Sequence, residues 1–127
     1  MTTSPACNEL QAAIALDRDI PRSTFETRLE PIGKEAGGWV LDTRCRDCGQ
    51  RWWLEEQDGR TQSFAIKAPP DGPWNKPLVR AAKIEYLRRS HGEEPTTRCM
   101  WRECQSRALK GRAHCAEHAY DIMGVDV

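Results

Sequence analysis

The chain has 127 residues, enough for one domain or one domain with a small appendage. Its 19 lysines and arginines balance 19 aspartates and glutamates, so no overall field draws it toward nucleic acid or an anionic membrane. The start lacks the basic segment and apolar run of a secretion signal, so the six cysteines are expected to be metal ligands in a reducing cytoplasm, not disulfides.

In chain order, Ser4-Pro5 reads as a helix cap followed by a proline at the first helical position. Leu10, Ala13, Ile14 and Asp17 then mark one face of a helix over 5–17, and Cys7 in its first turn reads as a small buried hydrophobe. The apolar run at 12–16 is far too short to span a bilayer, and no membrane partner is expected. Pro21 breaks that helix. From Phe25, alternation of Phe25, Thr27 and Leu29 with Glu26, Arg28 and Glu30 predicts a half-buried strand. A glycine turn leads to a second strand over 39–44. Cys45-x2-Cys48-Gly49 follows, then a third strand over 51–56, the turn signal Asp58-Gly59 and a fourth strand over 63–68. The breaker-rich stretch 69–74 precedes a helix from Asn75 to about Ser90, with Val79, Ala82, Tyr86 and Leu87 as its apolar stripe. Residues 91–95 read as a linker. The expected fold is α+β: a four-stranded antiparallel meander with a zinc-knuckle turn, two packed helices and a C-terminal structural zinc module. The expected division is a core over 1–92 and a metal module over 93–127.

That module carries the strongest signal. Cys99, Cys104, Cys115 and His118 are spaced C-x4-C-x10-C-x2-H, and three thiolates with one imidazole form a closed tetrahedral set for structural zinc. Cys115 and His118 are three apart, so on a helix they share a face. Gly111 lets the chain bend back toward the first pair. His114, Glu117 and His118 also fit the H-x-x-E-H pattern of inverted zinc peptidases, but those enzymes need a large domain and a third ligand elsewhere.

Cys45 and Cys48 look like a zinc knuckle between two strands, with Gly49 permitting the tight turn. A redox reading would want the first cysteine at a helix start, whereas Trp52-Trp53-Leu54 follows here. Two cysteines do not close a tetrahedron. Candidates to complete a second site are Cys7, His91, His114, a second copy of the chain or the C-terminal ligands, and a strand turn with two free thiols is the alternative.

Charge is uneven along the chain. Residues 1–43 carry Arg18, Arg22, Arg28 and Lys34 against seven acids, while Arg98, Arg102, Arg107, Lys110 and Arg112 crowd the metal loop against Glu103 alone. Five tryptophans are many for this length. Trp52 and Trp53, adjacent on a strand, face opposite sides; both are expected under cover, with Trp53 a candidate interface anchor if exposed. No nucleophile–base pair or phosphate-binding glycine loop is present, so an enzyme is not expected.

The stretch Cys45-Arg-Asp-Cys-Gly-Gln-Arg-Trp, the helix from Pro77 to Tyr86 and the terminal Ala108-Leu-Lys-Gly…Cys-Ala-Glu-His-Ala-Tyr together resemble small bacterial immunity proteins. Those proteins neutralise toxins delivered between competing bacteria by type VI secretion or contact-dependent systems. The resemblance covers about half the chain and implies a cytoplasmic protein that binds a cognate toxin and blocks its active site. It transfers no catalytic residue. Glu55, Glu56 and Asp58 at the hairpin tip are the expected acidic contacts, with Trp53 beside them. The alternative is a nucleic-acid-binding zinc protein using the basic residues of the metal loop, with affinity that falls steeply as salt rises.

Overall fold

The computed structural model describes residues 6–56, 62–101 and 103–123. The chain divides into two compact units, Met1–Lys76 and Pro77–Val127, so the boundary falls some sixteen residues before the expected one and the long helix goes with the metal module.

The first unit is built on a five-stranded antiparallel sheet in the order β1-β5-β4-β3-β2. Its strands are β1 (Ala13–Ala15), β2 (Leu29–Glu35), β3 (Val40–Cys45), β4 (Arg51–Glu55) and β5 (Phe64–Lys67). Strands β2 to β5 are neighbours in sequence order, and β1 adds a fifth beyond β5, pairing Ala13 with Ile66 and Ala15 with Phe64. This corrects the helix expected over 5–17. Only one turn of 3-10 helix forms, at Cys7–Glu9. Ala13 to Leu16 are buried without a break. A short continuous apolar run fits a strand covered on both faces as well as it fits a helix, and the open edge of β5 decides between them. Asp17, at φ 69°, turns the chain out of the strand, and the Asp19 carboxylate accepts the Ala15 N–H at 3.0 Å.

A second correction concerns residues 22–30. Arg22–Glu26 is a short helix, α1, and the strand starts only at Leu29. Phe25 and Leu29 are both buried and four residues apart, a spacing that serves one helical face as well as alternation does. Arg22 Nε donates to Glu26 at 2.9 Å on the outer side. Strand β2 lies at the sheet edge, where Pro31 costs no ladder bond, and the register shifts between Pro31 and Gly33.

One sheet face carries the core: Trp52 and Leu54 of β4, Cys45 of β3, Leu29 and Ala65, packed with Cys7, Ile14, Leu16 and Phe25. Phe25 meets Trp52 edge-on, with ring centroids 5.1 Å apart. The opposite face carries Trp53, whose ring lies 5.2 Å from that of Trp74. Beside it Arg51 makes a buried two-pronged pair with Asp42, Nε to Oδ1 at 2.8 Å and Nη2 to Oδ2 at 2.6 Å.

In the second unit, α2 (Lys76–His91, beginning at the boundary) leads into the hairpin β6 (Glu93–Arg98) and β7 (Arg107–Leu109), followed by α3 (Ala116–Met123). The linker expected at 91–95 is thus mostly strand. Ile84 and Leu87 of α2 pack with Leu109 of β7 and Ala116 and Ala119 of α3, a cluster much smaller than that of the first unit.

Candidate metal centres

The β6–β7 hairpin and the start of α3 bring four donors to one point. Cys99 immediately follows β6, Cys104 lies in the hairpin loop, Cys115 immediately precedes α3, and His118 sits in its first turn. The Cys99 N–H donates to Ser106 O at 2.9 Å and closes the loop; the Met100 N–H donates to Ala113 O at 2.8 Å and ties it to the segment before the helix. Gly111, at φ 72°, makes the reversal between β7 and Cys115.

The four ligand atoms lie within 4.8 Å of one another. Cys104 Sγ and Cys115 Sγ are 3.9 Å apart, and His118 Nδ1 is 3.3 Å from both Cys99 Sγ and Cys115 Sγ. Metal–sulfur bonds of about 2.3 Å at tetrahedral angles place sulfurs about 3.8 Å apart and sulfur about 3.5 Å from nitrogen, so the set is the right size for an ion at its centre. Backbone amides already face the sulfurs. The Trp101 N–H donates to Cys99 Sγ at 3.4 Å, and the Trp101 ring stacks on His118 at 5.0 Å and 17°, which fixes the imidazole plane. Hydrogen bonds from the Ser106 amide and hydroxyl pull the Cys104 thiol below its ordinary range. Burial pushes Cys115 up to about 11, against the hydrogen bond from the His118 amide. A cation is what would make that buried sulfur a thiolate.

A second cluster forms in the first unit. Cys7, Cys45 and Cys48 have their sulfurs within 4.8 Å of one another, the first two buried and the third exposed. Of the candidates to complete the Cys45–Cys48 pair, the fold brings Cys7. The Gly49 N–H donates to Cys45 O at 2.9 Å across the turn, and Gly49 takes φ 81°. Burial raises the Cys45 thiol, but amide hydrogen bonds from Cys48 and Asp47 and the neighbouring Cys7 and Cys48 thiols outweigh it, and the net shift is downward. Cys7 is raised by burial, although the Trp52 Nε1–H donates to its sulfur at 3.4 Å. Cys7 was one of several candidates in the sequence and could not be singled out there, because it stands far from the pair on a segment whose apolar pattern read as helix.

The expected partner-binding residues do not form one surface. Trp53 is 0 % exposed, covered as expected, so the condition for its acting as an interface anchor is not met. Glu55 is half-buried and its carboxylate accepts the Phe64 N–H at 2.9 Å, whereas Glu56 is exposed. Asp58, like Arg102, lies outside the described residues. The large apolar side chains that are exposed include Met100 at 76 %, Trp39 at 68 % and Trp101 at 50 %. Sequence reasoning passed over Met100 and Trp101 as ordinary members of a ligand loop. The signal available was an apolar pair directly after a ligand cysteine, with no room to turn inward.

These observations define a protein with two separate cysteine-rich clusters, one of three thiols and one of three thiols and an imidazole, each sized for a metal ion. No helix among the described residues is long and apolar enough to cross a membrane. Comparison with models of known families, with curated proteins and with solved structures gave no match.

Proposed function

We propose that this chain is a protein-binding inhibitor of the immunity class that its sequence resembles, with structural zinc holding the contact surface rigid. The C-terminal donor set of three sulfurs and one nitrogen favours zinc and leaves no open corner for a substrate. The observation that carries the reading is the Met100–Trp101 pair. Both side chains are exposed, yet Trp101 is held by the hydrogen bond its backbone N–H donates to Cys99 Sγ and by stacking of its ring on His118. A rigid, half-exposed tryptophan costs little entropy to bury and is the kind of residue that dominates binding energy.

Charge sets the chemistry of the partner. Arg98 and Arg107 are directly opposite each other across the hairpin and both are exposed, an arrangement of like charges that is unfavourable until an anionic surface meets it. The fitting partner is a toxin with an apolar pocket rimmed by carboxylates near its active site.

The test is co-expression with the product of the adjacent upstream gene, followed by co-purification of the complex. Protection of the cells and a stable complex are expected, with Trp101→Ala weakening binding by more than about tenfold at unchanged metal content. Lack of protection would overturn the proposal. So would retention on DNA that falls steeply with salt and is lost in Trp101→Ala, which is the behaviour of the nucleic-acid-binding alternative.

A further inference from the structure

The two clusters differ in one respect that bears on chemistry. The C-terminal set offers four donors, whereas among the described residues the Cys7–Cys45–Cys48 set offers three. The three come from two places, the 3-10 turn at Cys7–Glu9 and the β3–β4 turn, and they meet at the edge of the first unit's core. Two are buried and Cys48 is exposed, so an ion held between them has protein on its inner side and points outward on the other. On that outer side lies a surface cavity of about 640 Å³ that Cys7, Cys48, Asn8, Gln50 and Arg51 help to line.

The inner wall brings hydrogen-bond donors to two of the sulfurs, although burial still disfavours charge on Cys7. Trp52 is fully buried, and its indole N–H donates to Cys7 Sγ at 3.4 Å. At Cys45 the amides of Asp47 and Cys48 converge on the thiol, and Gly49 supplies the left-handed turn that aims them. Hydrogen-bond donors at sulfur stabilise the thiolate, which is the form that binds metal.

We propose that Cys7, Cys45 and Cys48 hold a second divalent metal ion whose fourth corner opens on this cavity and accepts a small-molecule thiol. Three thiolates make the ion soft and leave the centre with one net negative charge, so it prefers another soft donor to a carboxylate or phosphate. The exchange is simple: the incoming thiol gives its proton to solvent, its sulfur takes the corner, and the water held there leaves. No electron is transferred. The inference is independent of the partner-binding reading, which concerns the other unit.

The experiment uses the full chain with cobalt(II) in place of the native metal, because cobalt absorption reports the number of sulfur ligands. Two cobalt ions per chain are expected, one for each cluster. Titration with 2-mercaptoethanol should raise the thiolate-to-metal absorption to saturation. Cys48→Ser, at an exposed turn position, should bind one ion fewer and lose the response to the added thiol. Two bound ions with a spectrum indifferent to 2-mercaptoethanol would overturn the open corner. A single ion, equally retained by Cys48→Ser, would overturn the site, and so would a Cys45–Cys48 disulfide found by thiol counting in the freshly purified chain.

Discussion

Trp52 and Trp53 are adjacent, equally buried and unequal in one bond. The indole N–H of Trp52 reaches Cys7 Sγ, while that of Trp53 has no hydrogen-bond acceptor among the described residues. Replacing either by phenylalanine removes similar volume, but only Trp52→Phe also removes a bond. Trp53→Phe should therefore cost less than Trp52→Phe by on the order of 1 kcal/mol, read from urea midpoints. Beside Trp53, the Arg51–Asp42 pair is buried and doubly bonded. Asp42→Asn leaves a buried guanidinium with weaker support, since Glu35 stands at 3.7 Å and Pro69 O accepts from Nη1 at 3.3 Å. A loss of about 3 kcal/mol is expected in the same assay, at the low end for a broken buried pair because those two groups remain.

At the scale of elements, the knuckle turn and the α2–α3 contact make separate predictions. A Cβ at Gly49 would meet nothing within 4 Å, so Gly49→Ala tests the backbone alone. Forcing alanine into φ 81° should cost about 1–2 kcal/mol by denaturant unfolding. On the second unit's surface Arg80 holds Asp121 with two hydrogen bonds, at 3.1 and 2.8 Å, and this keeps the Asp121 carboxyl below its usual range. A depressed carboxyl stabilises the fold above its unfolded pKa, and that contribution disappears as pH falls through the folded value. Asp121→Asn should accordingly lower the Tm slightly at neutral pH, and the difference should close in acid. The α2 stripe was legible, since Val79, Ala82, Tyr86 and Leu87 are all buried, and β3, β4 and β5 fall close to their expected positions, although β4 and β5 are buried on both faces and do not alternate. Elements that failed were short and ambiguous. Residues 13–16 are apolar at every position, which no period can resolve, and Phe25 and Leu29 satisfy two periods at once. The ligand spacing of the C-terminal set was legible because its four donors lie close in sequence, while Cys7 reaches its partners only after the whole sheet has formed.

At the scale of the whole molecule, metal bound as proposed at the C-terminal donors should matter most to the second unit. The first unit has a five-stranded sheet and a core cluster containing Trp52, Phe25, Leu54 and Ile14. The second has a two-stranded hairpin and, among its described residues, a cluster of Ile84, Leu87, Leu109, Ala116 and Ala119, with Val79, Ala82 and Tyr86 of α2 also buried. A unit of some fifty residues rarely offsets its ordering entropy by apolar burial alone. Structural zinc, at on the order of 10 kcal/mol of apparent folding free energy, is large enough to close that gap. Stripping metal with a strong chelator should therefore unfold the second unit first. Amide protection should vanish from α3 and the β6–β7 hairpin while β3, β4 and β5 stay protected, and Cys115→Ser should give the same pattern without chelator. Hydrogen exchange read residue by residue makes the comparison. Simultaneous loss of both units, or protection of α3 that outlasts the metal, would mean that the C-terminal ligands do not support the fold as argued.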